Sequence, residues 1–246
     1  MKKNFARWLQ DSWYKEMYIS SALMPISMLY DDVVRFRSFL YRIGVKKKTR
    51  VAVPVVIVGN ITVGGTGKTP LVLHLARLLT EEGYKPGIIS RGYGGQADNW
   101  PQWVDQHSKP ELVGDEAVLM AAQADCPVVV GPERAMAAQM LLDKSDCNII
   151  LSDDGLQHYA LHRDIEICVI DGVRRFGNNF YLPSGPLREP QERLQDVDFV
   201  VCNGGEPEDG EVLMRLEGDF AINMQTKERK SLAEFKVQEG CHALAG

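Results

Sequence analysis

The sequence lacks the features that mark secreted, membrane-spanning and metal-knuckle proteins. Its five cysteines, at positions 126, 147, 168, 202 and 241, are too widely spaced for a C-x-x-C metal or redox pair, and their number is odd. No stretch reaches the roughly 18 to 20 apolar residues needed to cross a bilayer. The nearest, residues 17–30, follows charged residues and precedes no convincing signal cleavage site. We therefore expect a reduced, cytoplasmic protein that is neither secreted nor membrane-spanning.

The composition is that of an ordinary soluble protein, but its charge is unevenly distributed. The 246 residues are 45% hydrophobic and 25% charged, enough for one large domain or slightly more, and no internal repeat or low-complexity tract is visible. Residues 1–50 carry 11 Lys and Arg against 4 Asp and Glu, a net charge of +7, and the remainder carries 17 against 29, a net charge of −12. The two parts therefore face different partners.

Short apolar runs alternate with helical segments from Pro54 onward. The runs are rich in Val and Ile and are apolar without alternating polar residues, which is typical of parallel strands covered on both faces. They are VVIVG (55–59), KPGIISRG (85–92), CPVVVG (126–131), CNIILSDD (147–154), IEICVID (165–171) and DFVVCNG (198–204). This alternation predicts an α/β fold with a mostly parallel sheet and flanking helices.

Three crossover helices are predicted between these strands. In the first, leucines recur at helical spacing from Leu71 to Leu79, Pro70 suits the first turn and Gly83 suits the end. The other two helices are predicted at about 115–124 and 132–144. Long loops rich in Gly, Pro and aromatic residues remain at 91–112 and 172–192, where we expect the ligand crevice.

The stretch VVIVGNITVGGTGKTP, residues 55–70, joins a strand, a glycine-rich turn and a helix start. Such a turn aims backbone N–H groups at an anion, its lysine reaches the terminal phosphates of a nucleotide, and its threonine binds Mg²⁺. The general pattern has Gly at its first position, where this chain has Thr62; a purely structural turn is the alternative. The stretch predicts a phosphate cradle formed by Thr62, Val63, Gly64, Gly65, Thr66, Gly67, Lys68 and Thr69.

A P-loop needs a carboxylate at the end of a second strand to order Mg²⁺. Asp153 and Asp154 directly follow an apolar run and either one is a candidate ligand, with a solvated turn as the alternative. His158 follows four residues later, as a site residue or a structural histidine.

Four further residues are candidates whose roles the residue types leave open. Asp115 opens a predicted helix, where a carboxylate is either a catalytic base or a partner of the helix dipole. Arg134, also near a helix start, would bind phosphate or be solvated. Arg188 and Glu189 lie in LPSGPLREPQERL (182–194), which is either a loop stiffened by three prolines or a plain connector.

Taken in order, these stretches resemble the tetraacyldisaccharide 4'-kinases of lipid A biosynthesis. The matching segments are VGNITVGGTGKTP, SRGYGG, VGDEA, GPER, LSDDGLQH, LPSGPLREP and the terminal HALAG. They run from about residue 53 to the last residue, and several are specific to this family rather than common to P-loop proteins. Thr62 also fits the family's own form of the P-loop.

The resemblance implies a P-loop NTPase-like fold and a kinase. Such an enzyme moves the γ-phosphoryl of ATP to the 4'-hydroxyl of a tetraacylated glucosamine disaccharide 1-phosphate, forming lipid IVA at the cytoplasmic face of the inner membrane. No nucleic-acid partner is expected.

The resemblance also implies roles for individual residues. Lys68 would bind the ATP phosphates, and Asp115 would be the base that acts on the sugar hydroxyl. The Mg²⁺ residues would be Thr69, Asp153 and Asp154, with Arg134 and His158 in support and Arg188 and Glu189 in a loop that meets nucleotide or lipid substrate.

Family members continue past HALAG into a smaller C-terminal region, which contains a histidine that works with the aspartate equivalent to Asp115. This sequence stops at Gly246, so we expect a fragment or a shortened form whose nucleotide half is complete. The predicted segments are a membrane-associating part at 1–50, a P-loop kinase core at 51–200 and the start of a smaller C-terminal domain at 201–246.

The first 50 residues combine aromatic, apolar and basic side chains. Trp8, Trp13, Tyr14 and Tyr18 are the kind of residue that settles at a headgroup boundary. Basic residues then offer attraction to anionic lipid of about 1 kcal/mol each, at Arg35, Arg37, Arg42, Lys46, Lys47, Lys48 and Arg50. We predict peripheral or monotopic attachment to an anionic inner-membrane surface. A helix folded back on the core, with a solvated basic face, is the alternative, and the two are compatible in part.

Two other functions remain open. A P-loop ATPase switch of the partitioning type shares the form G-G-x-G-K-T, but such proteins usually carry a lysine where this chain has Val63. The other alternative is a truncated chain that binds nucleotide and membrane without full activity.

Overall fold

The computed structural model describes residues 11–14, 20–218, 220–222, 226 and 228–231. Backbone contacts divide the chain into two units, Met1–Met214 and Arg215–Gly246. The boundaries suggested by the sequence at residues 50 and 200 stay predictions.

The first unit is built on an eight-stranded sheet. Its strands are β1 Val55–Gly59, β2 Pro86–Ser90, β3 Gln102–Val104, β4 Val128–Val130, β5 Ile149–Asp153, β6 Ile165–Asp171, β7 Phe199–Asn203 and β8 Glu211–Met214. They lie in the order β3-β4-β2-β5-β1-β6-β7-β8, and within this sheet only the edge strand β3 runs antiparallel to its neighbour. The mostly parallel sheet is confirmed, because each of the six predicted runs contains a strand.

The helices of this unit connect the strands or pack beside them. They are α1 Ser20–Arg42, α2 Lys68–Glu81, α3 Pro110–Val113, α4 Asp115–Gln123, α5 Arg134–Lys144 and a 3-10 helix at Gln191–Asp196; residues 11–14 are also helical. The three predicted crossover helices are α2, α4 and α5. On α2 the buried residues are Leu71, Val72 and Ala76, whereas Leu78 is exposed, so the leucine spacing located the helix but not its whole buried face.

The two faces of β1 explain why its sequence is apolar without alternation. Val56 and Val58 belong to a core cluster that includes buried residues of α2 and α4. Val55 and Ile57 belong to a second cluster with buried residues of α5. Both faces of the central strand are therefore covered, as in other doubly wound sheets.

Several elements of the first unit were not predicted from the sequence, among them β3, α3 and β8. The loop predicted at 91–112 contains β3 and the start of α3, and β8 extends the sheet beyond β7. β3 is three residues long and pairs with β4 so that Gln102 lies opposite Val130. β4 is equally short but is the apolar run VVV, whereas β3, QWV, contains no such run. Its pairing with β4 stabilises it instead.

Helix α1 packs one face against the rest of the first unit and exposes an apolar face. On the inner face, Ser27 is 4% exposed. The large apolar side chains of α1 that are at least half exposed are Ile26, Met28, Leu29, Val33, Phe36 and Phe39. In the part of the chain that is described, no helix combines the length and the hydropathy needed to cross a membrane.

The aromatic residues at 13 and 14 pack against protein. Trp13 is 5% exposed, and its indole Nε1 donates a hydrogen bond to the carbonyl of Pro183 at 3.1 Å. The Tyr14 ring lies 5.6 Å from the Arg174 guanidinium. The headgroup position predicted for Trp13 is therefore wrong, because its ring is covered by the protein. Trp8 and Tyr18 lie outside the described residues.

The second unit contains an antiparallel pair, β9 Phe220–Ile222 and β10 Arg229–Ser231. Within it, the Arg229 guanidinium lies 3.7 Å from the centre of the Phe220 ring.

Candidate active site

The pairing of β1 with β5 brings the glycine-rich turn and the paired aspartates to one edge of the sheet. Val58 lies opposite Asp153 in the register of the two strands. Gly59 ends β1, and a Cβ there would lie 2.6 Å from the Leu156 side chain. The turn after β1 and the segment after β5 therefore pack closely, at the edge where open α/β sheets bind ligands.

The glycine-rich turn has the backbone shape of an anion cradle. Gly64 and Gly67 have φ values of +117° and +92°, in the region that glycine adopts most readily. A Cβ at Gly65 would meet nothing within 4 Å, so the approach to the turn is open there. Helix α2 begins at Lys68, and its N-terminus favours negative charge.

Polar side chains from neighbouring strands hold this turn. Asn60 Nδ2 donates to Thr66 Oγ1 at 3.1 Å, and Asn203 Nδ2 donates to the Thr66 carbonyl at 3.1 Å. Arg174 Nη2 donates to the Gly65 carbonyl at 2.5 Å. Sequence reasoning missed these three supporting residues, although each stands at or just after the carboxyl end of a strand, and that position is the signal that was available.

Asp153 is a buried carboxylate with an unused oxygen. It is 3% exposed, and its Oδ1 has no hydrogen-bond partner. The pKa of Asp153 is raised to about 6: burial is the largest cause, the neighbouring Asp154 and Glu116 add to it, and Lys68 opposes it. A buried acceptor in this state fits a bound cation.

Asp154 is the charged partner of two cations. Its φ is +49°, an uncommon conformation outside glycine. Its carboxylate lies 3.7 Å from Lys68 Nζ and 2.9 Å from Arg188 Nη1. Burial raises the pKa of Asp154, but the Arg188 and Lys68 cations outweigh it and leave the pKa below its usual range. The pKa values of these two adjacent carboxyl groups are therefore shifted in opposite directions.

Arg134 is buried behind the aspartates. It is 2% exposed, with Nη1 donating to the Gly131 carbonyl at 2.8 Å and Nη2 to the Asp153 backbone carbonyl at 3.2 Å. Burial lowers its pKa to about 10, although the two aspartates raise it. The side chain therefore fixes the backbone at the end of β5.

His158 is neutral at physiological pH. Burial, together with the nearby guanidinium groups led by Arg134, lowers its pKa to about 4. Its Nε2 is buried without a hydrogen-bond partner. Arg91, the residue after β2, lowers the pKa of both Arg134 and His158. No role was predicted for Arg91, although it belongs to the SRGYGG stretch and follows the carboxyl end of a strand.

Asp115 is the exposed first residue of α4, and its Oδ1 accepts a hydrogen bond from the Glu116 N–H at 3.0 Å. Because Glu116 raises the pKa of Asp153, the N-terminal turn of α4 lies within electrostatic range of the β5 end.

Arg188 and Glu189 are adjacent, but their side chains contact different parts of the protein. Besides Asp154, Arg188 Nη1 contacts Asn60 Oδ1 at 3.1 Å. Glu189 is 1% exposed and accepts hydrogen bonds from Gln157 and Tyr159, each at 2.8 Å. The structure therefore brings the Arg188 side chain, but not the Glu189 carboxylate, to Asp154 at the P-loop edge. A substrate contact by Glu189 stays a prediction.

The potential metal ligands fit a nucleotide-associated Mg²⁺ rather than a site made of protein alone. Among the described residues no group of three or more His, Cys, Asp or Glu is arranged to hold a metal ion. Mg²⁺ in nucleotide sites usually takes one or two protein ligands together with phosphate oxygens and water. Thr69 on α2 and the unpaired Asp153 oxygen are groups of this kind, and their metal-binding role stays a prediction.

A strand, an anion cradle, a helix N-terminus and two carboxylates at the neighbouring strand end define a P-loop nucleotide-binding protein. The tetraacyldisaccharide-1-P 4'-kinase family model matches residues 19–246. The chain belongs to this family of ATP-dependent lipid A biosynthesis kinases, and the predicted fold, family and activity are confirmed.

Individual relatives agree with this assignment. The tetraacyldisaccharide 4'-kinase of Nitrosococcus oceani is 51% identical over 234 residues, which cover 95% of this chain and 69% of the relative. That of Methylobacillus flagellatus is 48% identical over 248 residues, which cover 100% and 73%. LpxK from Aquifex aeolicus, solved in complex with ATP, superposes with a TM-score of 0.73 at 32% identity, covering 83% of this chain and 66% of that one. The chain thus spans about two thirds to three quarters of the length of these relatives.

Proposed function

We propose that this chain binds Mg²⁺-ATP at the β1–β5 edge and passes the γ-phosphoryl to the 4'-hydroxyl of a tetraacylated glucosamine disaccharide 1-phosphate, forming lipid IVA. The observation that carries the proposal is the convergence of Lys68, Asp153, Asp154 and Arg188 at the N-terminus of α2. Phosphoryl transfer asks mainly for positioning and charge neutralisation, and these groups supply both.

The phosphates would bind to the backbone cradle and to two cations. Lys68 and Arg188 share Asp154 in this structure, so both are held beside the cradle before nucleotide arrives. A triphosphate brings more negative charge than one carboxylate and competes with Asp154 for both cations. Lys68 and Arg188 then offset the charge that develops during transfer.

Mg²⁺ would be held by Thr69 and the aspartate pair, and when bound it neutralises charge on the phosphate oxygens. Of the two carboxylates, Asp153 is the better direct ligand because its Oδ1 is free of hydrogen bonds. Asp154 is already paired with Lys68 and Arg188. Arg134 fixes the Asp153 backbone and thereby sets the direction of its carboxylate.

Asp115 would be the base that directs the acceptor hydroxyl in line with the γ-phosphoryl. Its carboxylate is exposed at the first turn of α4, so a sugar can reach it. His158, neutral and with a free Nε2, would offer a hydrogen bond without adding charge to the site.

The acceptor is a lipid, and the outer face of α1 would seat the protein on the membrane that holds it. Each large apolar side chain that enters lipid gains about 1.5 to 3 kcal/mol, and α1 exposes six of them. Basic residues Lys46, Lys47 and Lys48, all exposed, follow the helix and favour an anionic surface. Because ATP is cytoplasmic, we place this contact at the cytoplasmic face of the inner membrane, as a peripheral or monotopic attachment.

Transfer of radiolabel from γ-labelled ATP to a tetraacylated disaccharide 1-phosphate in mixed micelles tests the function directly. We expect a labelled lipid product with Mg²⁺ and none after chelation. Mg²⁺-dependent ATP binding without transfer would leave only a nucleotide-binding chain. Dimerisation driven by nucleotide alone would favour the partitioning-type switch.

A further inference from the structure

The inner face of α1 contacts the loop that carries Arg188. The Ser184 N–H donates to Ser27 Oγ at 2.9 Å, and the Tyr30 hydroxyl donates to the Arg188 carbonyl at 3.3 Å. Ser27 and Tyr30 are three residues apart and therefore lie on the same side of the helix. This side is opposite to the exposed apolar face.

The same loop is held on its other side by the P-loop. The Arg188 N–H donates to the Ile61 carbonyl at 2.7 Å, and the Val63 N–H donates to the Pro186 carbonyl at 2.8 Å. The backbone of residues 184–188 is therefore clamped between α1 and the turn that would bind phosphate. Its one long cationic side chain, Arg188, ends on Asp154 and Asn60.

We propose that Ser27 and Tyr30 are positioning residues for Arg188, so that α1 is part of the nucleotide site as well as the membrane-facing surface. The proposal rests on the proposed function, because Arg188 matters here as a ligand of the ATP phosphates. The two hydrogen bonds with α1 restrict the backbone of the loop and thereby the position of the Arg188 guanidinium. A side chain that is already restricted loses less conformational entropy when phosphate binds.

The first test is removal of the Tyr30 hydroxyl in Tyr30→Phe, with affinity for Mg²⁺-ATP measured by equilibrium titration of the 246-residue chain. One net hydrogen bond corresponds to a weakening of about three- to tenfold. Tyr41→Phe is the matched control on the same helix, since the Tyr41 ring contacts Tyr159 and Lys46 rather than the Arg188 loop. We expect its affinity to equal that of the wild type.

A double-mutant cycle separates positioning from a general effect on folding. In the background of Arg188→Ala, Tyr30→Phe should have no further effect on ATP affinity, because the side chain it positions is gone. Vesicle binding should be the same for Tyr30→Phe and the wild type, since the outer face of α1 is unchanged. Thermal melting identifies any variant that fails to fold, and Ser27→Ala then replaces Tyr30→Phe in the same cycle.

Two results would overturn the proposal: equal affinity in Tyr30→Phe and the wild type, or the same loss with and without Arg188. If the wild-type chain itself binds no ATP, the proposed function fails first and this proposal fails with it. A wild type that binds ATP, with additive effects in the cycle, overturns the positioning role alone.

Discussion

The P-loop edge of the sheet and the outer face of α1 expose opposite kinds of chemistry. At the P-loop edge, Asp153 and Arg134 are withdrawn from water, and two of the cations have an acidic or carbonyl partner: Lys68 lies beside Asp154, and Arg134 donates to the Asp153 carbonyl. On α1, Leu29 and Phe36 are more than 60% exposed. A buried charged group is stable only when an opposite charge or a hydrogen-bond partner compensates for its lost hydration. A large exposed apolar surface indicates a site that binds a membrane or another molecule.

This difference in exposed chemistry indicates which kind of ligand each region would bind. The P-loop edge would be completed by an anion and a divalent cation, and the outer face of α1 by lipid. The two requirements are physically separate, although the inner face of α1 contacts the loop of Arg188. Variants should therefore separate nucleotide handling from membrane binding.

The largest effect is expected at Lys68. Lys68→Ala removes a cation aimed at the phosphates, and we expect turnover to fall about 10²- to 10³-fold, as measured by radiolabel transfer to the lipid acceptor. Vesicle flotation should not change. Lys144→Ala, an exposed lysine at the end of α5, is the control. Loss of flotation in Lys68→Ala would show that the two regions are not separable.

A second substitution separates chemistry from nucleotide binding within the P-loop edge. Asp115→Ala should lower turnover about 10²-fold, the contribution typical of a general base, with ATP affinity nearly unchanged. Asp125→Ala, an exposed carboxylate just after the same helix, should behave as the wild type. Wild-type turnover in Asp115→Ala would remove Asp115 from the role of base.

The converse experiment changes α1. Leu29→Ser together with Phe36→Ser removes two apolar side chains from the outer face. Because these residues are 64% and 62% exposed, each side chain contributes about 1 to 2 kcal/mol in lipid, and we expect vesicle binding to weaken about 30- to 500-fold. ATP affinity in the absence of lipid should be retained. Leu78→Ser, an exposed leucine on α2, controls for loss of apolar surface elsewhere. Equal vesicle binding in both variants would place the membrane contact on another surface.

The smallest effect concerns stability, and it contrasts the two aspartates. The pKa of Asp153 is raised from 3.8 to about 6, so its stabilising contribution is present below about pH 4 and is lost as pH rises through 6. Asp153→Asn should therefore melt higher than the wild type above pH 6, by roughly 5 °C, and the difference should shrink towards pH 4.

Asp154→Asn should show the opposite sign. The pKa of Asp154 is lowered, so its stabilising contribution is present above the unfolded value and is lost as pH falls through the folded one. This variant should melt below the wild type at pH 7. Melting curves from pH 4 to 8 with a chelator present measure both, and shifts of the same sign would contradict the assignment of the two carboxyl groups. His158, with a pKa of about 4, contributes in this range to all three proteins and cancels in the comparison.

The sequence predicted the strands at the centre of the sheet because their polarity pattern is local. It did not predict β3 (QWV) or β8 (EVLM), because neither contains the continuous Val and Ile run that marks the central strands, and pairing with neighbouring strands stabilises both. The motifs likewise located Lys68 and the aspartate pair. They did not single out Asn203 or Arg174, whose positions near strand ends are shared by many residues and whose contacts with the P-loop depend on the pairing of other strands.

The amino-acid sequence by itself determined the α/β class, the phosphate cradle and the family, because a strand, a glycine turn and a helix start are encoded within sixteen consecutive residues. Only the tertiary structure decided that Asp153 and Asp154 have opposite pKa shifts, that Glu189 is buried, and which face of α1 is exposed. These properties depend on desolvation and on charges brought together from distant parts of the chain, which residue spacing does not specify.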